Sequence, residues 1–160
     1  MRKISQGRKI LPVSLLLEGK PCLVVGGGTI AARKIGHLLA AGAAVTVVSP
    51  DLCAEVAQLK KDRALKHKSR VFAAADVKGQ SVVFAVTDNG PVNLAVIKAC
   101  RRARVLCSAA DAHWSEGDFV SPAVIRKPGL VVAVSTGGEC CARSRVIKEK
   151  LAHYLAGQKL

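Results

Sequence analysis

The sequence contains few aromatic residues and few acidic ones. Phe, Trp and Tyr make up 3% of its 160 residues, whereas 50% are hydrophobic, so a core must be built from Val, Leu, Ile and Ala. The 11 acidic side chains oppose 25 Lys and Arg, which leaves a formal net charge of +14. A folded chain tolerates such self-repulsion more easily beside an acidic partner. Nucleic acid, an anionic membrane and a polycarboxylate small molecule all qualify.

The sequence also lacks a long hydrophobic run. Residues 38–50, the longest uncharged stretch near the middle, are too few to span a membrane. Residues 11–17 follow a basic segment and imitate a signal peptide, but Glu18 and Lys20 come next without a small-residue cleavage site. We therefore expect a cytoplasmic protein with no membrane partner.

The cysteines form neither a CxxC motif nor paired metal-ligand spacing. Cys22 and Cys107 lie inside apolar runs, where a free cysteine behaves as a small hydrophobic residue. We expect reduced core thiols, and the sequence identifies no metal ligand.

Short β-branched runs alternate with helical patterns, which predicts an α/β fold with a Rossmann-like, doubly wound parallel sheet. Strands are predicted at 22–25, 45–48, 71–74, 81–86 and 105–107, and helices at 29–41, 51–60 and 91–102. The basic stretch 60–70 is predicted to be a loop or a solvated edge. Residues 1–111 would form one such domain. Residues 112–160, with a strand at 129–135 and a helix at 143–155, would form a sheet-and-helix element too small for its own core, hence a homodimer.

A glycine-rich turn carries the strongest chemical signal. Gly26, Gly28 and Ala31 form a G-x-G-x-x-A element between a buried strand and a helix. In this motif the first glycine permits the tight turn, the second lets the backbone approach a pyrophosphate, and the alanine lets helix and strand pack closely. The helix start offers free N–H groups to the phosphates. The pattern predicts dinucleotide binding, although a plain tight turn would look similar.

The second half of this fingerprint is imperfect. The acid that holds the ribose should end the second strand, where the chain has Ser49 and Pro50, and Asp51 comes slightly late. No Arg stands at that strand end to hold a 2′-phosphate. The sequence therefore favours NAD over NADP.

Asp111 follows the fifth predicted strand, at the edge where doubly wound sheets place ligands. It could act as a general base or simply cap a loop, and its position alone does not decide. His113, a single histidine in a loop, is interpreted as a surface residue. The basic clusters lack interleaved aromatics, so nucleic acid is an improbable partner.

Several segments resemble the precorrin-2 dehydrogenase family, the NAD-dependent module of siroheme synthases. The resemblance begins at residues 11–34 and continues through 41–50, 85–88 with Asn93, and Asp111. It ends with the more specific segments 117–123 and 132–138.

The resemblance implies NAD-dependent oxidation of precorrin-2 to sirohydrochlorin and, in some members, insertion of ferrous iron. It implies that Asp111 is the base in dehydrogenation and the proton acceptor or metal guide in chelation. It assigns three groups of residues to the cofactor: Thr29 and Ile30 to the pyrophosphate turn, Pro50 and Asp51 to the adenosine end, and Thr87 and Asp88 to positions along the cofactor. It assigns Thr136, with Gly137 and Gly138, to the tetrapyrrole site. A polycarboxylate tetrapyrrole suits the basic charge.

The chain departs from the family pattern at three places. Ser108 replaces a frequent asparagine, Glu139 to Cys141 replace a Lys-Ser-Pro, and one helix stands where many relatives continue into a helical domain. The last departure puts chelation in question more than dehydrogenation. The alternative hypothesis is a Rossmann module that senses NAD(H) or binds RNA without turnover.

Overall fold

The computed structural model describes residues 9–111 and 113–157, and it contains two sheets. The larger sheet has five parallel strands in the order β3-β2-β1-β4-β5. Its elements follow the chain as β1 (Pro21–Val25), α1 (Thr29–Leu39), β2 (Ala44–Val48), α2 (Ala54–Lys61), β3 (Lys66–Lys68), β4 (Val82–Ala85), α3 (Gly90–Ala103) and β5 (Leu106–Ala109). The predicted α/β, Rossmann-like class is confirmed.

Strand β1 lies at the centre of this sheet and is buried on both faces. Cys22 and Val24 belong to one hydrophobic cluster, which includes residues of α1 and α2. Leu23 and Val25 belong to the other, which includes residues of α3. Alternate side chains of a strand point to opposite faces, so an unbroken apolar run is what a doubly covered strand requires.

The third strand is a correction to the sequence prediction. We expected it at 71–74, but β3 is Lys66–Lys68, inside the basic stretch interpreted as a loop or solvated edge. Residues 71–73 are irregular and lead into a 3-10 helix at Ala74–Val77. Because β3 pairs only with β2, among the strands described, its lysines can point to solvent, as edge strands allow.

The second sheet is a hairpin of β6 (Ala123–Lys127) and β7 (Leu130–Val134), followed by α4 (Cys141–Ala156). We did not predict β6, and α4 begins two residues earlier than expected. The described residues divide into two compact units, one at Ser14–Phe119 and the other at residues 9–13 with 120–157. Within the described ranges, no helix has the length and apolar character needed to cross a bilayer.

The sequence placed the domain boundary after Asp111, whereas the first unit extends to Phe119. Two interactions explain the difference. Asp118 bonds Cys107 of β5 through both its backbone N–H (2.7 Å) and its carboxylate (2.9 Å). Phe119 packs edge-on against Phe84, with the ring centroids 5.5 Å apart.

Asp76, in the 3-10 helix, is a buried carboxylate that two cations hold. Arg70 donates to both of its oxygens, at 2.7 and 2.6 Å, and Lys68 donates to one at 2.9 Å. The hydrogen bond from Arg70, against the opposing effect of burial, holds the pKa of Asp76 well below its usual range. Part of the basic cluster at 60–70 is therefore engaged internally.

We expect Asp76→Asn to lower the free energy of unfolding at pH 7 by about 2 kcal/mol, because charge-assisted hydrogen bonds are lost from a buried site. A carboxylate with a lowered folded-state pKa stabilises above its unfolded pKa and loses that effect as the pH falls below about 4. Urea unfolding of both proteins at pH 7 and pH 3 measures this. A gap that does not shrink at pH 3 would contradict the assignment.

Candidate functional site

Gly26 makes the tight turn between β1 and α1. Its φ is +123°, and an added Cβ would lie 2.6 Å from the backbone oxygen of Val86. Its N–H donates to the backbone oxygen of Val48 at 3.0 Å, which ties the turn to β2. Only glycine fits this position, in agreement with the turn predicted from the motif.

The two glycines that follow differ from each other. A Cβ on Gly27 would lie 2.1 Å from the backbone oxygen of Asp51, so this position is closely packed. Gly28, the N-cap residue of α1, has no heavy atom within 4 Å of its Cβ position. The open side of the turn is therefore at Gly28, where the motif expects the pyrophosphate. The sequence does not predict the close packing at Gly27, because the residue that it contacts, Asp51, lies far along the chain.

A cleft of about 680 Å³ opens at the carboxyl ends of β1, β2 and β4. Every predicted cofactor residue except Ala31 lines it: Gly26, Gly28, Thr29, Ile30, Pro50, Asp51, Thr87 and Asp88. Ala31 is fully buried, as expected of the residue that lets α1 pack against the sheet. The sequence did not predict the lining residues Leu52, Val71, Phe72, Asn89 and Val92. The cofactor role of all these residues stays a prediction.

Strand β3 and Ser69, the residue that follows it, support the β2 side of the cleft. Ser69 donates its hydroxyl to the backbone oxygen of Pro50 at 3.1 Å, and His67 Nε2 lies 2.9 Å from the backbone oxygen of Ser49. Lys68 and Arg70, the two cations that flank Ser69, bind Asp76. This wall therefore offers an acid, Asp51, while these two cations already have a partner.

Asp111 does not line the cleft but is joined to its wall through Asn93. The Asn93 amide donates to Asp111 Oδ2 at 2.8 Å and to the backbone oxygen of Thr87 at 3.0 Å. Asn93 Oδ1 accepts from the backbone N–H of Thr87 at 3.1 Å and from its hydroxyl at 2.8 Å. Asn93 is completely buried, so it fixes the distance between the carboxylate and the cleft.

His113 also binds Asp111, although we had interpreted it as a surface residue. Its backbone N–H donates to Oδ1 at 3.0 Å, and its ring Nδ1 lies 3.1 Å from Oδ2. Burial alone would raise the pKa of Asp111, but the hydrogen bonds from Asn93 and His113 outweigh it and lower that pKa. The carboxylate is therefore ionised at neutral pH.

The predicted tetrapyrrole residues lie in the second unit, between β7 and α4. Gly137 and Gly138 have positive φ, at 68° and 88°. The Thr136 hydroxyl accepts from the backbone N–H of Cys140 at 3.1 Å and lies 3.1 Å from the hydroxyl of Ser144. Thr136 thus organises the turn into α4, and its substrate role stays a prediction.

All six cysteines are free thiols in this structure, and Cys22, Cys100 and Cys107 are buried as expected of core thiols, whereas Cys140 and Cys141 are not. Burial raises the pKa of the Cys22 thiol, which makes it a poor nucleophile. Cys140 and Cys141 are exposed at the start of α4. Among the residues described, no group of three or more His, Cys, Asp and Glu could hold a metal ion, so the metal ligands for any iron insertion stay unassigned.

Comparison with known proteins relates this geometry to a family. A family model described as "Putative NAD(P)-binding" matches residues 13–123. The siroheme synthase of Methylococcus capsulatus is 39% identical over 141 residues, which cover 88% of this chain and 30% of the relative. That of Thioalkalivibrio sulfidiphilus is 38% identical over 144 residues, 90% of this chain and 29% of the relative. The chain therefore spans less than a third of the length of these curated relatives.

A solved structure also matches nearly the whole chain. SirC, precorrin-2 dehydrogenase, aligns with a TM-score of 0.74 at 30% identity. The alignment covers 91% of this chain and 71% of that chain.

Proposed function

We propose that this chain oxidises precorrin-2 to sirohydrochlorin with NAD. The chain belongs to the NAD(P)-binding family whose model matches its residues 13–123. The observation that carries the proposal is the link between an ionised carboxylate and the cleft wall, from Asp111 through the buried Asn93 to Thr87. Dehydrogenation needs both a dinucleotide site and a proton acceptor beside it.

The cleft residues fit NAD. Free N–H groups at the start of α1 and the open side of Gly28 suit a pyrophosphate. Asp51 suits ribose hydroxyls, and the engagement of Lys68 and Arg70 by Asp76 leaves them unsuited to a 2′-phosphate. When bound, the nicotinamide supplies the hydride acceptor. The residues of this chain hold the cofactor and the substrate in position and provide the group that accepts the proton.

The charge of the chain fits a polycarboxylate substrate. The formal net charge of +14 raises the local concentration of an anionic tetrapyrrole and speeds its encounter with the site. Arg and Lys side chains can then hold its carboxylates through charge-assisted hydrogen bonds.

An anaerobic assay with precorrin-2 and NAD, read as NADH absorbance, tests this function. We expect wild-type turnover and a loss of about 10³-fold in kcat for Asp111→Asn, because the proton-transfer centre beside the cleft loses its ionised carboxylate. Asp62→Asn, at the exposed end of α2, is the matched control and should keep the wild-type kcat. If the wild type forms no NADH, or Asp111→Asn turns over equally well, the proposal is wrong. NADH binding without turnover would instead favour the sensing module.

We also infer that the second unit pairs with another copy of the chain. No hydrophobic side chain in the described residues from Val120 onward is buried, and Val131, Val146 and Tyr154 are about half exposed or more. A unit with so little core gains stability by covering these side chains. Light scattering should give twice the chain mass, and Val131→Glu should halve it. A wild-type monomer at micromolar concentration would contradict the pairing.

A further inference from the structure

The carboxylate of Asp111 already accepts three hydrogen bonds. Oδ1 accepts from the His113 backbone, and Oδ2 accepts from the Asn93 amide while it contacts the His113 ring. Each of these bonds favours the ionised form and makes the carboxylate a weaker proton acceptor. A group held in this way is well placed to orient a neighbour and poorly placed to take a proton itself.

The neighbour that it orients is the His113 imidazole. An ionised carboxylate can only accept hydrogen bonds, so His113 Nδ1 carries the proton and Nε2 of the neutral ring is left as an acceptor. The His113 side chain is 32% exposed, against 23% for Asp111, so its ring is the more accessible of the two.

The ring lies against the start of α3, beside the cleft. A Cβ on Gly90 would lie 3.2 Å from His113 Cε1, so the absence of a side chain there makes room for the ring. The preceding residue, Asn89, lines the cleft. Of the charged residues around the ring, Asp111 contacts it directly, whereas Glu116 bonds the His113 backbone oxygen through its own N–H.

We propose that His113 Nε2 accepts the proton in the dehydrogenation and that Asp111 is its positioning residue. This inference rests on the proposed function. One C–H bond of the substrate breaks and its electron pair leaves as hydride to the nicotinamide. A second C–H or N–H bond breaks, its electrons form the new double bond, and its proton goes to Nε2. The Asp111 carboxylate stabilises the resulting imidazolium, which returns the proton to solvent.

Kinetics of His113→Gln test the role of the ring, because glutamine can still donate to Asp111 but does not titrate. We expect kcat to fall by about 10²-fold or more with KM little changed. The pH dependence of kcat should also differ between the wild type and this variant, because the variant has no proton acceptor at position 113. His153→Gln, an exposed histidine of α4, is the matched control. Unchanged NADH affinity and melting temperature show that His113→Gln is folded.

A second measurement needs no turnover. Nitrogen-15 NMR of the wild type should show His113 as the Nδ1–H tautomer, and Asp111→Asn should lose that preference. If His113→Gln keeps the wild-type kcat and pH profile while Asp111→Asn is inactive, the proton acceptor is Asp111 and the inference fails, although the proposed function stands. An inactive wild type that shows the Nδ1–H tautomer would refute the function. A ring protonated at Nε2 would refute the inference.

Discussion

Gly27→Ala is expected to lower the free energy of unfolding by about 3 kcal/mol and to abolish measurable NADH binding. The added Cβ would lie 2.1 Å from the backbone oxygen of Asp51 and 2.9 Å from the Ser49 hydroxyl. A backbone oxygen cannot rotate away, so the segment that follows β2 must move. That segment lines the cleft, so the clash affects the cofactor site as well as stability. Urea unfolding and NADH fluorescence titration measure the two effects.

Two other glycines serve as controls. Gly28→Ala meets no atom within 4 Å, so its stability should stay within about 1 kcal/mol of wild type, while NADH affinity falls about tenfold as the methyl group obstructs the pyrophosphate. Gly36→Ala, at an exposed position inside α1, should raise stability by up to about 1 kcal/mol without changing affinity. If Gly27→Ala unfolds at the wild-type urea midpoint, the close approach to Asp51 is wrong.

The glycine turn shows why local sequence predicts one part of a site better than another. The motif predicts the tight turn at Gly26, which the structure makes with a positive φ, because the turn is a local requirement. It does not reveal the packing of Gly27, because Asp51 reaches that position only after α1 and β2 have folded. Contacts between segments distant in the chain depend on the tertiary structure, and a single sequence does not encode them visibly.

Strand β3 shows a similar limit. Hydrophobic periodicity favoured residues 71–74, whereas the strand forms at Lys66–Lys68. Its partner β2 fixes the register, pairing Thr46 with Lys66 and Val48 with Lys68. An edge strand is stabilised mainly by backbone hydrogen bonds on one side, so its side chains carry little periodic signal.

Helical periodicity over residues 29–41 predicts that Lys34 faces solvent, but the structure buries it. It is only 8% exposed, and its ammonium lies 5.5 Å from the centroid of the Phe84 ring. A long side chain can bury its stem while its charge meets an aromatic face, so helical periodicity alone does not tell an exposed lysine from a buried one.

The hydrogen-bonded group of Asp111, His113 and Asn93 contains residues that the sequence could place and residues that it could not. The location of Asp111 at the carboxyl edge of the sheet could be predicted, because it follows the fifth strand. Its link to His113 could not, since a loop histidine two residues away has many possible orientations. The sequence indicates Asn93 only through the family resemblance, because its burial and its hydrogen bonds exist only in the folded structure.

Asn93→Leu should lower the free energy of unfolding more than other side-chain replacements of similar volume in α3. The change leaves the Thr87 N–H and backbone oxygen without their partner and removes a donor from Asp111. Buried polar groups without partners cost about 1–3 kcal/mol each, so we expect the free energy of unfolding to fall by about 3 kcal/mol. Because a hydrogen bond to the ionised form is lost, the pKa of Asp111 should rise toward its usual range.

Asn89→Ala is the matched comparison, because Asn89 caps the same helix by accepting from the backbone N–H of Val92 at 3.1 Å. An exposed cap of this kind is worth about 1 kcal/mol, so Asn89→Ala should cost about a third as much as Asn93→Leu. Urea unfolding compares the two, and carboxyl carbon NMR follows the titration of Asp111. Equal losses of stability would mean that Asn93 acts only as a local helix contact. An unmoved Asp111 titration would mean that the amide does not hold the carboxylate.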